Sequence, residues 1–259
     1  MTFLLVKMLT TAGFVVAASI FAEKAGPLAA ALVATLPVSA GPIYFFLALE
    51  HGDSFIGEAA LGSIGANLAT TGFSVAYVLS AARMRALPAL GLSFAVWAPI
   101  LFGLRAAHLP LFVSLGLTLG VLPLLHLWLK PRMAARPLSP PRLAWYAIPV
   151  RAAFVAALVG TVTTLSLQIG PRWSGFFATF PVVLSSLIIF LHPRIGGPAT
   201  AAIIGSGILG LMGFGFALAV VHLTATSLGK WGALSLGLAI CILWNLSLAA
   251  LARRQPRTS

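Results

Sequence analysis

Apolar runs of about the length of one bilayer crossing alternate along this chain with short gaps that carry the polar residues and the turn signals. The pattern predicts nine helices, at 3–21, 27–49, 58–80, 87–104, 109–129, 145–167, 171–191, 198–224 and 231–251. The gaps hold Gly26-Pro27, Gly52-Asp53, Leu87-Pro88, Leu109-Pro110, Gly170-Pro171 and Gly197-Pro198. Proline suits a helix start, where its missing N–H is no loss. The longest gap, KPRMAARPLSPPRLA at 130–144, is basic and proline-rich and divides the chain near its middle.

Composition turns this pattern into a class. Of 259 residues, 60% are hydrophobic and 8% charged, with a mean hydropathy of +1.05. A soluble domain carries about 25% charged residues, so the expected solvent is the lipid bilayer. The fold class expected is an all-α integral membrane protein. The net charge of +12 does not point to nucleic acid. The cations are scattered among loops between apolar runs and do not gather on one face of a soluble domain. The lone cysteine, Cys241, excludes an intramolecular disulfide and a cysteine-based metal site. Lys7 interrupts the first apolar stretch and no clean cleavage site follows, so that stretch is read as a retained helix.

Charge also orients the chain. With nine spans, one side holds Lys24, Arg83, Arg85, Lys130, Arg132, Arg136, Arg142, Arg194, Arg253, Arg254 and Arg257. The other holds Arg105, Arg172 and Lys230, with Lys7 near that end of the first helix. Eleven cations against four place the N-terminus outside and the C-terminus in the cytoplasm of a bacterial inner membrane. Three acids, Glu50, Asp53 and Glu58, fall on the outer side.

A displacement of 144 residues superimposes one half of the sequence on the other. ATLPV at 34–38 falls on ATFPV at 178–182, Gly26-Pro27 on Gly170-Pro171, Phe46-Leu47 on Phe190-Leu191 and Lys7 on Arg151. One residue of adjustment aligns Gly62-Ser63 with Gly205-Ser206 and Gly72-Phe73 with Gly215-Phe216. The chain then reads as repeat A at 1–104, a linking helix with the basic loop at 105–144, and repeat B with a basic tail at 145–259. Four helices plus one linking helix invert the second repeat relative to the first.

The repeated proline phrase marks a candidate site. Pro37 and Pro181 each remove a helical N–H and disturb the carbonyl four residues back, that of Val33 or Phe177. Thr35 and Thr179 stand two residues earlier, where a hydroxyl can serve the loosened turn or face a cavity. Gly41-Pro42 follows in the first copy, and Ser185-Ser186 in the second. Broken helices of this kind hold the substrate sites of inverted-repeat transporters, while single proline kinks often only shape packing. The substrate-binding candidates are therefore Thr35, Pro37, Gly41, Thr179, Pro181 and Ser185. Asn67 and Thr71 join them, sharing one face of the third helix. Lys7 and Arg151 are candidates for attracting an anion, with snorkelling as the plainer account. Glu58 is the acid nominated for proton coupling. Glycines 205, 207, 210, 213 and 215 are read as close helix packing or a flexible gate. Trp97 and Trp244 are read mainly as core.

The function expected is a secondary transporter or exporter of a small neutral or anionic solute, with its site near the bilayer midplane. The alternatives are a hydroxyl-lined channel of the same architecture and an accessory membrane subunit. An enzyme is not expected: Ser63, Ser206 and His222 stand in no GxSxG frame, and no acid cluster lies within the apolar runs. No cofactor or metal is expected. The partners expected are the bilayer and a small solute, without nucleic acid, and a homo-oligomer is left open.

Overall fold

A computed structural model describes residues 2–24, 39–133 and 146–254, and every regular element among them is helical. The α-helices are α1 (Thr2–Lys24), α2 (Ala40–Glu50), α3 (Asp53–Ser80), α4 (Ala86–Ala106), α5 (Leu111–Leu129), α6 (Ala147–Ala178), α7 (Val182–Ile195), α8 (Gly197–Ser206), α9 (Ile208–Thr224) and α10 (Gly229–Arg254). A single 3₁₀ turn, Lys130–Met133, follows α5. The chain is an all-α, multi-pass membrane protein.

Five helical stretches among the described residues are long and apolar enough to cross a membrane: Ala86–Ala106, Leu111–Met133, Ala147–Ile195, Gly197–Thr224 and Gly229–Leu251. The sequence predicts nine spans, and the difference has three physical sources. The apolar part of α1, Leu4–Ile20, is short, and α2 is described only as Ala40–Glu50. The stretch from 147 to 195 is one continuous region although it folds back on itself. And α3, at 28 residues long enough to span, is too polar to count by hydropathy.

The polarity of α3 follows from its place. It packs against α2, α4, α5, α6, α8, α9 and α10. Its small and polar residues Ser63, Asn67, Thr70, Thr71 and Ser74 are all buried. A helix enclosed by protein has no need of a lipid-facing apolar surface. Its glycines admit the neighbours: a Cβ on Gly62 would lie 2.3 Å from the Arg172 carbonyl oxygen. One on the facing Gly175 would lie 1.9 Å from the Ala59 carbonyl oxygen. Gly175→Ala is therefore expected to destabilise the protein by about 1–3 kcal/mol through overpacking. Gly91→Ala, where nothing lies within 4 Å, should leave stability unchanged. Thermal unfolding in detergent compares the two variants, and equal melting temperatures would refute the close-packing account.

The predicted turn signals open helices. Gly52 caps α3, Pro110 caps α5 and Pro198 lies in the first turn of α8. Gly170 has φ 78° and ψ 174° inside α6, a conformation that only glycine adopts without strain. Pro171 then restarts the helix. Arg151, early in α6, bonds Ser186 on α7 at 3.0 Å. A straight helix would hold residues so far apart in sequence about 50 Å apart, so the chain doubles back at Gly170. The same geometry joins α9 to α10, where Trp244 Nε1 donates to the Leu209 carbonyl at 2.9 Å.

The contacts define two ends of the bundle. One gathers the start of α1, the α2–α3 junction, the α4–α5 loop, the Gly170 turn and the α9–α10 loop, through Lys7–Glu50, His51–Ser166, Arg172–Glu58 and Lys230–Asp53. The opposite end gathers the α3–α4 loop and the α7–α8 turn, where Tyr77 bonds His192 at 2.8 Å.

Candidate functional site

The second copy of the proline phrase breaks its helix. α6 ends at Ala178, Thr179 has φ −102° and ψ 17°, and Pro181 has φ −76° and ψ 51° before α7 begins. The break lies between the Gly170 and Gly196 turns, in the interior of the bundle. Its backbone groups find partners locally. The Phe177 carbonyl, deprived of its ordinary donor by Pro181, accepts from the Phe180 N–H at 3.1 Å. Thr179 does not serve that carbonyl; its hydroxyl donates to the carbonyls of Gly175 and Phe176 at 3.3 and 3.2 Å. Ser185 donates to the Pro181 carbonyl at 2.7 Å. Such bonds from hydroxyl to preceding carbonyl keep polar groups quiet in an apolar setting.

The break turns Phe180 toward α4. Its ring stacks on Phe94 at 5.5 Å and meets Trp97 edge-on at 5.3 Å. Trp97 is 6% exposed, and its indole N–H is buried without an acceptor. Buried polar groups are nearly always hydrogen-bonded, so an orphan donor beside a helix break marks a place where a partner can bind. The sequence gives Trp97 no special mark, because the absence of a partner is a property of packing.

Asn67 and Thr71 stand elsewhere. Asn67 donates from Nδ2 to the Leu211 carbonyl of α9 at 2.8 Å, and Thr71 donates to the Asn67 carbonyl at 3.2 Å. Gly215 and Thr118 close around Asn67, so the polar face of α3 ties it to α5 and α9. No hydrogen bond among the described residues joins this pair to Thr179 or Ser185. Gly41, near the start of α2, lines a separate apolar groove of about 290 Å³ with Tyr44, Phe214, Trp231 and Cys241. Thr35 and Pro37 lie outside the described residues.

The charged candidates are paired. Lys7 is buried, bonded to the Glu50 carboxylate and to Thr163 Oγ1 at 3.3 Å. It therefore does not snorkel toward an interface. Arg151 donates from Nε to Ser186. Glu58 accepts from Arg172 Nε at 2.9 Å. No group of three metal-ligating side chains exists among the described residues.

His51 completes the end that holds Lys7. The Ser166 hydroxyl donates to the Thr163 carbonyl at 2.8 Å, so its oxygen accepts from His51 Nε2–H at 2.8 Å. The imidazole also stacks on Phe55 at 3.7 Å. Burial holds its pKa below the ordinary 6.5, opposed by Glu50 and reinforced by Lys7 and Lys230. A group with a lowered folded-state pKa contributes stability that is present above the unfolded value. That stability is lost as pH falls through 6.5 toward the folded value. The melting temperature is therefore expected to drop between about pH 7.5 and 5, and His51→Gln should flatten that drop. An unchanged slope in the variant would remove His51 from the account.

Fold and site together define a multi-pass, all-α membrane protein with a broken helix inside its bundle. Compared with protein-family models, with curated proteins and with solved structures, the chain matches none.

Proposed function

We propose that this protein is an inner-membrane secondary transporter of a small neutral or anionic solute, with its site at the break between α6 and α7. The observation that carries the reading is the orphaned Trp97 N–H beside that break. It is a hydrogen-bond donor held among apolar rings, and solute sites combine such donors with apolar surroundings. Paired broken helices are the usual place of such sites in transporters.

The architecture proposed is nine spans in two inverted four-helix repeats joined by α5. Several features support it. Lys7 and Arg151, 144 residues apart, each reach a polar group on a neighbouring helix, Glu50 on α2 and Ser186 on α7. α1 packs on α6, and the α3–α4 contact has its counterpart in the α9–α10 contact. The basic residues favour the end that holds Arg83, Arg85, Lys130, Arg132 and Arg194, which makes that end cytoplasmic and sets the N-terminus outside.

A rocking mechanism accounts for the site better than an open channel does. Thr179 and Ser185 bond to their own carbonyls, and Phe180 is packed against Phe94 and Trp97. A solute gains access when the contact of α7 on α4 opens. The two repeats then alternate that opening between the two ends.

The test is uptake into proteoliposomes, read by stopped-flow light scattering with a panel of small neutral solutes and potassium salts. At least one solute should enter saturably and faster than into empty vesicles. Pro181→Ala should cut that flux at least tenfold while leaving insertion and melting temperature intact. Normal flux in Pro181→Ala would place the site elsewhere.

A further inference from the structure

A second polar site lies at the end of the bundle that holds Glu50, apart from the break between α6 and α7. Arg105 in the last turn of α4, His108 in the following loop, Ser114 in α5 and Arg172 after the Gly170 turn surround a pocket of about 30 Å³ with Gly62 and Gly65 of α3. That volume holds one or two water-sized particles.

The pocket carries an excess of positive charge. Arg172 spends Nε on Glu58 at 2.9 Å, and no other protein acceptor takes its remaining donors among the described residues. Among the described residues, Arg105 faces no carboxylate. Its Nη1 donates to His108 Nε2 at 2.9 Å. An arginine only donates, so His108 accepts there and its proton sits on Nδ1, donated to the Ala106 carbonyl at 2.8 Å. His108 is thus a support for the guanidinium and brings no negative charge to offset it. Its backbone takes φ 46° to reach this position, an uncommon conformation for a residue with a side chain. Trp173 lies under the guanidinium at 5.6 Å and fixes its plane. The Nε–H of Arg105 is buried and has no acceptor.

Two guanidinium groups, with one carboxylate bonded to Arg172, leave one positive charge unmatched. Arg105, whose Nε–H has no acceptor, and Ser114 both border the pocket. A water molecule would leave the charge unanswered, and an anion answers it. A space of about 30 Å³ suits a single small ion.

We propose that this pocket binds a monatomic inorganic anion of the chloride kind, held by Arg105 and Arg172. The site stands independently of the transport reading. It uses none of the residues at the break, Thr179, Phe180 and Pro181, and not Trp97.

The test uses the full-length protein in detergent with gluconate as the starting anion, titrated with sodium chloride and sodium bromide at constant ionic strength. Calorimetry should show saturable binding near one anion per chain, and the melting temperature should rise with the same saturation. Arg105→Gln should weaken binding at least tenfold, with Arg105→Lys intermediate. Absence of saturable binding in the wild type would overturn the proposal, as would unchanged affinity in Arg105→Gln. Should Arg105→Gln fail to fold, the wild-type titration and Ser114→Ala decide: no saturable shift in the former, or no loss of affinity in the latter, overturns it. Halide binding that survives Pro181→Ala while flux is lost separates this site from the transport site. Failure of halide binding with flux intact refutes this site alone.

Discussion

Glu50→Gln should destabilise the folded protein by up to about 3–5 kcal/mol, the cost of removing the carboxylate from an ion pair whose ammonium is buried. The Lys7 side chain is 5% exposed and that of Glu50 28%, so the amine depends on the carboxylate more than the reverse. Without the negative charge of Glu50, the ammonium is left among α1, α2 and α6 with the Thr163 hydroxyl as a neutral partner. A cost of that size is a large share of the 5–15 kcal/mol that holds an ordinary domain folded. It lowers the folded-to-unfolded ratio roughly a hundredfold or more. The double variant Lys7→Met with Glu50→Leu removes both charges and is expected to recover most of the loss. Melting temperature and yield in detergent distinguish the outcomes. A single variant as stable as the wild type, or a double variant no better than the single, would show that the pair contributes little.

Trp97→Phe carries the largest expected effect on function. The substitution keeps an aromatic ring against Phe94 and Phe180 and deletes the N–H that has no protein acceptor. If Trp97 only fills the core, the variant should be neutral or slightly more stable, because an unsatisfied buried donor costs about 1–3 kcal/mol. Flux would then be unchanged. If the N–H meets the solute, flux should fall about tenfold to a hundredfold, which is the worth of one lost hydrogen bond of 1.5–3 kcal/mol. Melting temperature should hold or rise while flux falls. That opposition of signs separates a binding role from a packing role. Equal flux in Trp97→Phe and wild type would end the case for the break beside it.

Parts of this reading were legible in the chain itself. The all-helical membrane class follows from runs too apolar and too poor in charge for water, a local property of composition. The helix starts at Pro110, Pro171 and Pro198 were also legible, because proline acts on its own backbone and immediate neighbours, whereas α3 begins at Asp53, five residues before the predicted 58. So was the break at Pro181, for the same reason. The sequence pattern was less informative about which residues share a site. Asn67 and Thr71 were grouped with the proline phrase as polar residues of one apolar region. The fold turns them toward Leu211, Thr118 and Gly215 instead. In lipid, both the inner and outer faces of a helix are apolar, so no stripe of hydrophobicity reveals which face meets protein.

The sequence by itself determined the all-helical membrane class of this protein, several of its turns and the point at which one helix breaks. Each rests on residues within a few positions of one another. The tertiary structure decided the pairings: Lys7 with Glu50, Arg172 with Glu58, Arg105 with His108 and Trp173, and the solitude of the Trp97 N–H. Of these, only Arg105 and His108 are close in the chain. Electrostatic and hydrogen-bonding energies act through space over a few ångströms. The helices that bring such groups together are chosen by packing, which no local pattern records.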